Sequence, residues 1–156
     1  MRSESRDPVR VLVAEDFVPY RRTTCSTLAS LCGLQVVGEA CDGLEAIQKA
    51  VELRPDLTVL DIDLPSLNGI EVARETQSLV PESIIIFLTQ ESSADVVQKA
   101  FSVGVRGYAA KRNAVTDLWL AWKRSFWEGC SSVRDRGYIC PRAMRSLLGV
   151  PESAWR

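Results

Sequence analysis

Short runs rich in β-branched residues recur along the first two-thirds of the chain, separated by stretches whose apolar positions fall three and four apart. Val9–Ala14 (VRVLVA), Leu34–Gly38 (LQVVG), Leu57–Asp61 (LTVLD), Ile84–Thr89 (IIIFLT) and Val105–Ala110 (VRGYAA) read as strands. Between them Leu28/Leu31, Ala46/Ile47/Ala50/Val51, Ile70/Ala73 and Val96/Val97/Ala100/Phe101 each trace one helical face. Strict strand–helix alternation predicts an α/β protein, a five-stranded parallel sheet doubly wound with helices on both faces. The punctuation agrees with these boundaries. Pro19 suits a first helical turn, Pro55 follows the second helix and Ser93 can cap the fourth. Gly33, Gly43, Gly69, Gly104 and Gly107 are expected at turns.

A fifth helix is predicted over residues 114–128, with Leu118, Ala121, Trp122, Ser125 and Phe126 on one stripe and Trp119 and Trp127 left elsewhere on its surface. Beyond Gly129 the periodicity weakens, with a short helix expected over Arg142–Leu148. The predicted organisation is a disordered leader at 1–8, one domain at 9–129 and a short C-terminal extension or linker remnant at 130–156.

Composition narrows the chemistry. The chain of 156 residues has no histidine, which excludes His metal sites, Ser-His-Asp triads and phosphohistidine formation on this chain. Hydrophobic residues at 46% and charged residues at 25% are an ordinary globular balance. Charge is unevenly placed. Residues 1–105 carry nine Lys/Arg against sixteen Asp/Glu, whereas 106–156 carry ten against four. An acidic front suits a cation site, and a basic tail suits an acidic partner or nucleic acid, or simply a solvated surface. Five cysteines (Cys25, Cys32, Cys41, Cys130, Cys140) without C-x-x-C spacing read as free thiols. The N-terminus lacks an apolar signal core and no apolar run is long enough to span a bilayer, so a soluble, cytoplasmic protein is expected, with no membrane partner.

In an open parallel sheet, ligands bind beyond the carboxyl ends of the strands. Glu15 and Asp16 follow the first strand, Asp61 ends the third, Thr89 ends the fourth and Lys111 follows the fifth. Three carboxylates, a hydroxyl and an ammonium are thus directed to one edge. Hard oxygen ligands suit Mg²⁺. The metal and Lys111 would neutralise a phosphoryl group, Thr89 would donate to one of its oxygens, and Asp61 would be the nucleophile.

All of these residues but Thr89 fall within the strings VRVLVAEDFVPYR, RPDLTVLDIDLPSLNGIEV and AFSVGVRGYAAK, with LQVVGEACDGLEAI between the first two. Taken in order, they resemble the receiver domain of two-component response regulators, with its flavodoxin-like fold, and most closely the NarL/LuxR-type branch. The resemblance implies that Asp61 is the phosphoacceptor. It also implies that Asp16 binds Mg²⁺ directly, Glu15 mainly through water and Asp63 by its backbone carbonyl. Thr89 and Tyr108 match the switch pair, and Lys111 the lysine that pairs with phosphoryl oxygens. The implied partner is a sensor histidine kinase or phosphotransfer protein. The implied response is a change in the face made by the fourth helix, fifth strand and fifth helix, with homodimerisation left open.

Three features depart from that pattern. Gln90 stands where a small residue is usual, so its side chain is expected to narrow access to Asp61. Asp63 and Glu91 add negative charge beside the pocket, which favours slow phosphoryl exchange. Only fifteen residues follow Pro141, too few for a helix-turn-helix domain, so DNA binding is not expected of the chain as given. Its basic residues Arg134, Arg136, Arg142 and Arg145 read as a tether remnant. Two other readings compete. One is a haloacid dehalogenase-like phosphatase, suggested by Asp61-Ile62-Asp63. The other is a pseudo-receiver that binds partners without phosphorylation. In the leading reading the protein acts only on itself and is not a metabolic enzyme.

Overall fold

The structure is a computed structural model that describes residues 8–30, 34–90 and 94–111. Along the chain run β1 (Val9–Ala14), α1 (Val18–Ser30), β2 (Leu34–Ala40), α2 (Gly43–Leu53), β3 (Leu57–Leu60), α3 (Gly69–Leu79), β4 (Ile84–Thr89), α4 (Ala94–Ser102) and β5 (Gly107–Ala110). The five strands form one parallel sheet in the order β2-β1-β3-β4-β5. The expected fifth helix, the Arg142–Leu148 helix, Trp119, Trp127, the basic tail, the leader up to residue 7, Ser93 and Glu91 lie outside the described residues.

Alternating side chains along each strand divide the core in two. Val11, Val13, Val59, Ile86 and Leu88 pack with Leu28 of α1 on one face. Ala14, Leu60, Ile85, Phe87 and Tyr108 pack with Ala46, Val72, Ala73, Val97 and Ala100 on the other, bringing α2, α3 and α4 there. Because both faces are covered, all four residues of β3 are buried, and its sequence is a continuous apolar run apart from Thr58.

Several boundaries differ from the sequence pattern. β2 runs past Gly38 to Ala40. Gly38 marks a close approach inside the strand, since a Cβ there would lie 2.6 Å from Leu53 Cδ1 and 3.3 Å from Leu12 Cδ1. A bulge against β1 between Val11 and Leu12 absorbs the extra residue. β3 stops at Leu60, and β5 starts at Gly107 instead of Val105. Gly43 and Gly69 open helices, capped by the side chains of Asp42 and Asn68, which accept from the backbone N–H groups of Glu45 and Glu71. On α2, Ala46 and Ala50 are buried but Val51 is exposed, because the sheet takes only one side of the stripe. On α3 the fully buried positions are Val72, Ala73 and Thr76, with Ile70 at the margin.

The strand order reverses at β1 and β3, which leave the sheet in opposite directions toward α1 and α3 and open a crevice at their carboxyl ends. The loop leaving β3 is held tightly against this crevice. The Gly69 N–H donates to the Ile62 carbonyl at 2.7 Å, and the Gly43 N–H to the Pro65 carbonyl at 3.0 Å. A Cβ at Gly69 would lie 2.1 Å from the Asp61 carbonyl oxygen and 2.7 Å from Ile62 Cα. Both are backbone atoms that cannot rotate aside. Gly69→Ala should therefore cost about 3 kcal/mol of stability, at the upper end of ordinary overpacking. Urea denaturation should show this as a lowered midpoint.

Candidate functional site

Backbone hydrogen bonds carry the sheet one residue past two strand ends and so fix where the first two acids stand. The Glu15 N–H donates to the Ala40 carbonyl and the Asp61 N–H to the Ala14 carbonyl, each at 2.9 Å. Glu15 and Asp61 consequently face the crevice from neighbouring strands, 3% and 4% exposed. Asp16 is exposed at its rim. Ligand oxygens of Glu15, Asp16 and Asp61 all lie within 4.8 Å of one another. Two like charges about 4 Å apart repel by about 4 kcal/mol at the effective dielectric of a protein edge, so such a group needs a cation.

Lys111 supplies one. Its Nζ donates to Glu15 Oε2 at 2.7 Å and to Asp61 Oδ2 at 3.0 Å, with its side chain 7% exposed. Considered alone, Lys111 would be a solvated surface lysine; its side chain instead turns inward onto the two buried acids. The remaining oxygens have backbone donors. The Phe17 N–H reaches Glu15 Oε1 at 3.1 Å, and the Asp63 N–H reaches Asp61 Oδ1 at 3.3 Å. Arg21 Nη1 donates to the Glu15 carbonyl at 2.9 Å, tying α1 to the end of β1.

One ammonium among three carboxylates leaves the ionised pocket two charges negative. Burial, reinforced by the charge of Asp61 and opposed by Lys111, pushes Glu15 up to about 7. Lys111 is raised in turn; burial works against its charge, but the hydrogen bonds to Glu15 and Asp61 outweigh it. The acidic oxygens, their close spacing and their excess negative charge fit a hard divalent cation such as Mg²⁺.

The other expected residues are distributed around this centre. Thr89 pairs with Ala110 in the β4–β5 register, which sets its backbone at the same sheet edge. Tyr108 is 9% exposed within the core cluster that holds Ile62, Val97 and Ala100. The Asp63 side chain is exposed. Cys25 and Cys41 are free thiols, and Cys32, Cys130 and Cys140 lie outside the described residues. Two contacts had not been foreseen. The Tyr20 ring lies 4.6 Å from Lys111 Nζ, and Gln90 Nε2 donates to the Tyr20 hydroxyl at 2.7 Å. No local signal marked either contact, because both join residues far apart in the chain.

The model of the response regulator receiver domain matches residues 11–123. The chain belongs to that family. This receiver is 37% identical over 111 residues to the transcriptional regulatory protein PdtaR of Mycobacterium tuberculosis, covering 71% of this chain and 53% of that protein. Among solved structures it is similar to a LuxR-family two-component response regulator from Aurantimonas sp., with a TM-score of 0.76 and 25% identity, covering 92% of this chain and 97% of that one. It is also similar to the response regulator domain of Thermotoga maritima CheB, with a TM-score of 0.69 and 29% identity, covering 74% and 95%. The chain spans about half the length of the curated regulators it matches, and about a quarter to a third of the curated protein-glutamate methylesterases. Receivers are the phosphoryl-accepting modules of two-component signalling. The family match favours neither the phosphatase nor the pseudo-receiver reading. No helix among the described residues is long and apolar enough to cross a membrane.

The raised Glu15 carries a pH signature. With a value near 7 in the folded receiver against an ordinary 4.5, the folded state holds a proton that the unfolded chain has released. The contribution of Glu15 to stability therefore falls as pH rises from about 4.5 through 7 and levels off above. Urea denaturation of metal-free protein at about pH 5 and about pH 8 should show a loss toward pH 8 that shrinks in Glu15→Gln.

Proposed function

We propose that Asp61 is the residue of this receiver that accepts a phosphoryl group, taken from a phosphohistidine on a partner sensor kinase or phosphotransfer protein. An Asp61 carboxylate oxygen attacks phosphorus as the bond to the imidazole nitrogen breaks, and the bonding pair returns to that nitrogen. The observation that carries this reading is the buried Asp61 carboxylate with Lys111 Nζ at 3.0 Å, at the sheet's topological switch point.

Asp16, Asp61 and the Asp63 backbone carbonyl would hold Mg²⁺, with Glu15 acting mainly through water. The ion would supply charge neutralisation at the phosphoryl oxygens. Lys111 is already desolvated beside Asp61 and needs only to exchange a carboxylate oxygen for a phosphoryl oxygen. The Thr89 hydroxyl would donate to another phosphoryl oxygen, and Thr89 with Tyr108 would form the switch. Phosphorylation takes the Asp61 side chain from one negative charge to about two and adds strong acceptors. Tyr108, which shares a core cluster with Val97 and Ala100 of α4, would pass that change to α4 and β5.

The chemistry in this reading is confined to the protein's own aspartate: slow gain and slow loss, with Asp63 and Glu91 contributing repulsion toward an anionic donor or hydroxide. The receiver would occupy 9–129, between a leader at 1–8 and an extension at 130–156. Its location would be the cytoplasm, where free thiols persist.

Acetyl phosphate with Mg²⁺ should add one phosphoryl mass to the intact protein. Asp61→Asn should abolish the addition and Asp63→Asn should retain it. Lys111→Ala should slow it about a hundredfold, the scale of losing one donor to a developing oxyanion. Labelling that persists in Asp61→Asn would overturn the assignment.

A further inference from the structure

The contacts around Lys111 continue outward in an unbroken series. Its ammonium spends two N–H directions on Glu15 and Asp61. Toward Tyr20 it meets an aromatic ring, 4.6 Å to the centroid, a cation–π distance. That ring is braced by Phe17, with centroids 5.3 Å apart and planes inclined at 60°. Its hydroxyl accepts from Gln90 Nε2 at 2.7 Å, a bond between residues seventy positions apart. Burial falls along the series, from Asp61 and Lys111, through half-buried Tyr20, to exposed Gln90 and Phe17. The Tyr20 ring therefore stands on the solvent side of the ammonium. The hydrogen bond joins the first turn of α1 to the segment that leaves β4 directly after Thr89.

We propose that Tyr20 and Gln90 form a latch across the mouth of the acceptor pocket, in which the Tyr20 ring positions Lys111 and the Gln90–Tyr20 hydrogen bond limits the entry of small donors and water to Asp61. The proposal rests on Asp61 being the acceptor. Its two parts act in opposite directions. The ring face favours the inward ammonium, which phosphoryl transfer needs. The hydrogen bond closes a side route that both a small phosphodonor and a hydrolytic water must use. Opening and closing the latch involves one side-chain hydrogen bond between exposed or half-exposed groups. Breaking it should shift the open fraction by about fivefold, the factor one such bond is worth. Since gain and loss both pass the same mouth, both rates should rise together.

The test is the time course of labelling from acetyl phosphate with Mg²⁺, and of label loss after the donor is removed, read by intact mass. Thermal melts establish that each variant is folded. Gln90→Ala and Tyr20→Phe should each accelerate gain and loss by about fivefold, and the double variant should do no more than either alone, as expected when both remove one interaction. Tyr20→Leu, which also removes the ring, should gain label more slowly than Tyr20→Phe. Restoring the ring without the hydroxyl thus rescues Lys111 but not the closed mouth. Rates unchanged in Gln90→Ala and Tyr20→Phe, additive effects in the double variant, or equal gain in Tyr20→Leu and Tyr20→Phe would each overturn the latch while leaving Asp61 as acceptor. An unlabelled wild type, or label retained in Asp61→Asn, would instead remove the acceptor and the latch with it.

Discussion

A single ammonium shared by two buried carboxylates is the interaction around which this receiver is arranged. β1 and β3 are neighbours, so the acids that follow them cannot avoid each other. Adjacent strands lie about 4.8 Å apart, and β5 is two strands from β3, so the end of β5 is about 10 Å from Asp61. From β5, a long side chain that crosses the end of β4 is needed to bring positive charge to the pair. Lys111 does so, and its removal would leave buried charge uncompensated, a loss that commonly costs several kcal/mol.

The neutralisation is incomplete by design of the ligand set. Asp16 remains outside the Lys111 pairing and Glu15 is held up near neutrality by burial, so the pocket keeps an appetite for further positive charge. A divalent cation and a phosphoryl group would satisfy complementary needs there, one bringing charge for the acids and the other bringing acceptors for Lys111. Such an exchange would make the centre bistable in its hydrogen bonding. On the proposed reaction the ammonium, now divided between two carboxylates, would be divided between a carboxylate and a phosphoryl oxygen, and the elements attached to each partner would respond accordingly.

Rigidity in the surrounding loops is what allows a small electrostatic change to be transmitted. The loop leaving β3 is pinned by Gly69 against the Asp61 carbonyl and by the Gly43 N–H on Pro65. The segment leaving β4 is linked to α1 through Gln90 and Tyr20. Asp61 is therefore a fixed point between a stiff loop and a tethered one. In the proposed switch, movement at the phosphoryl site would be directed toward the side where Tyr108 shares a core cluster with Val97 and Ala100 of α4.

Strand–helix alternation, the parallel sheet and the edge at which the acids gather were legible in the chain itself, because β-branched runs and helical spacing are local properties. The strand-end positions of Glu15, Asp61 and Thr89, and of Lys111 just beyond β5, were legible for the same reason. The strand position of Gly38 was legible, but the reason a glycine stands there was not, since it lies in Leu53 and Leu12, residues that approach it only after folding. The full burial of Val72 and Thr76 beside Ala73, with Ile70 only partly covered, and the exposure of Val51 depended on how α3 and α2 rotate against the sheet. Gln90 stood out in the sequence as a long side chain near the acceptor, but its partner Tyr20 lies seventy residues away. Which side chains belong beside a strand end follows from local pattern; which of them touch is settled by how distant segments pack, because hydrogen bonds and charge pairs act over only a few ångströms.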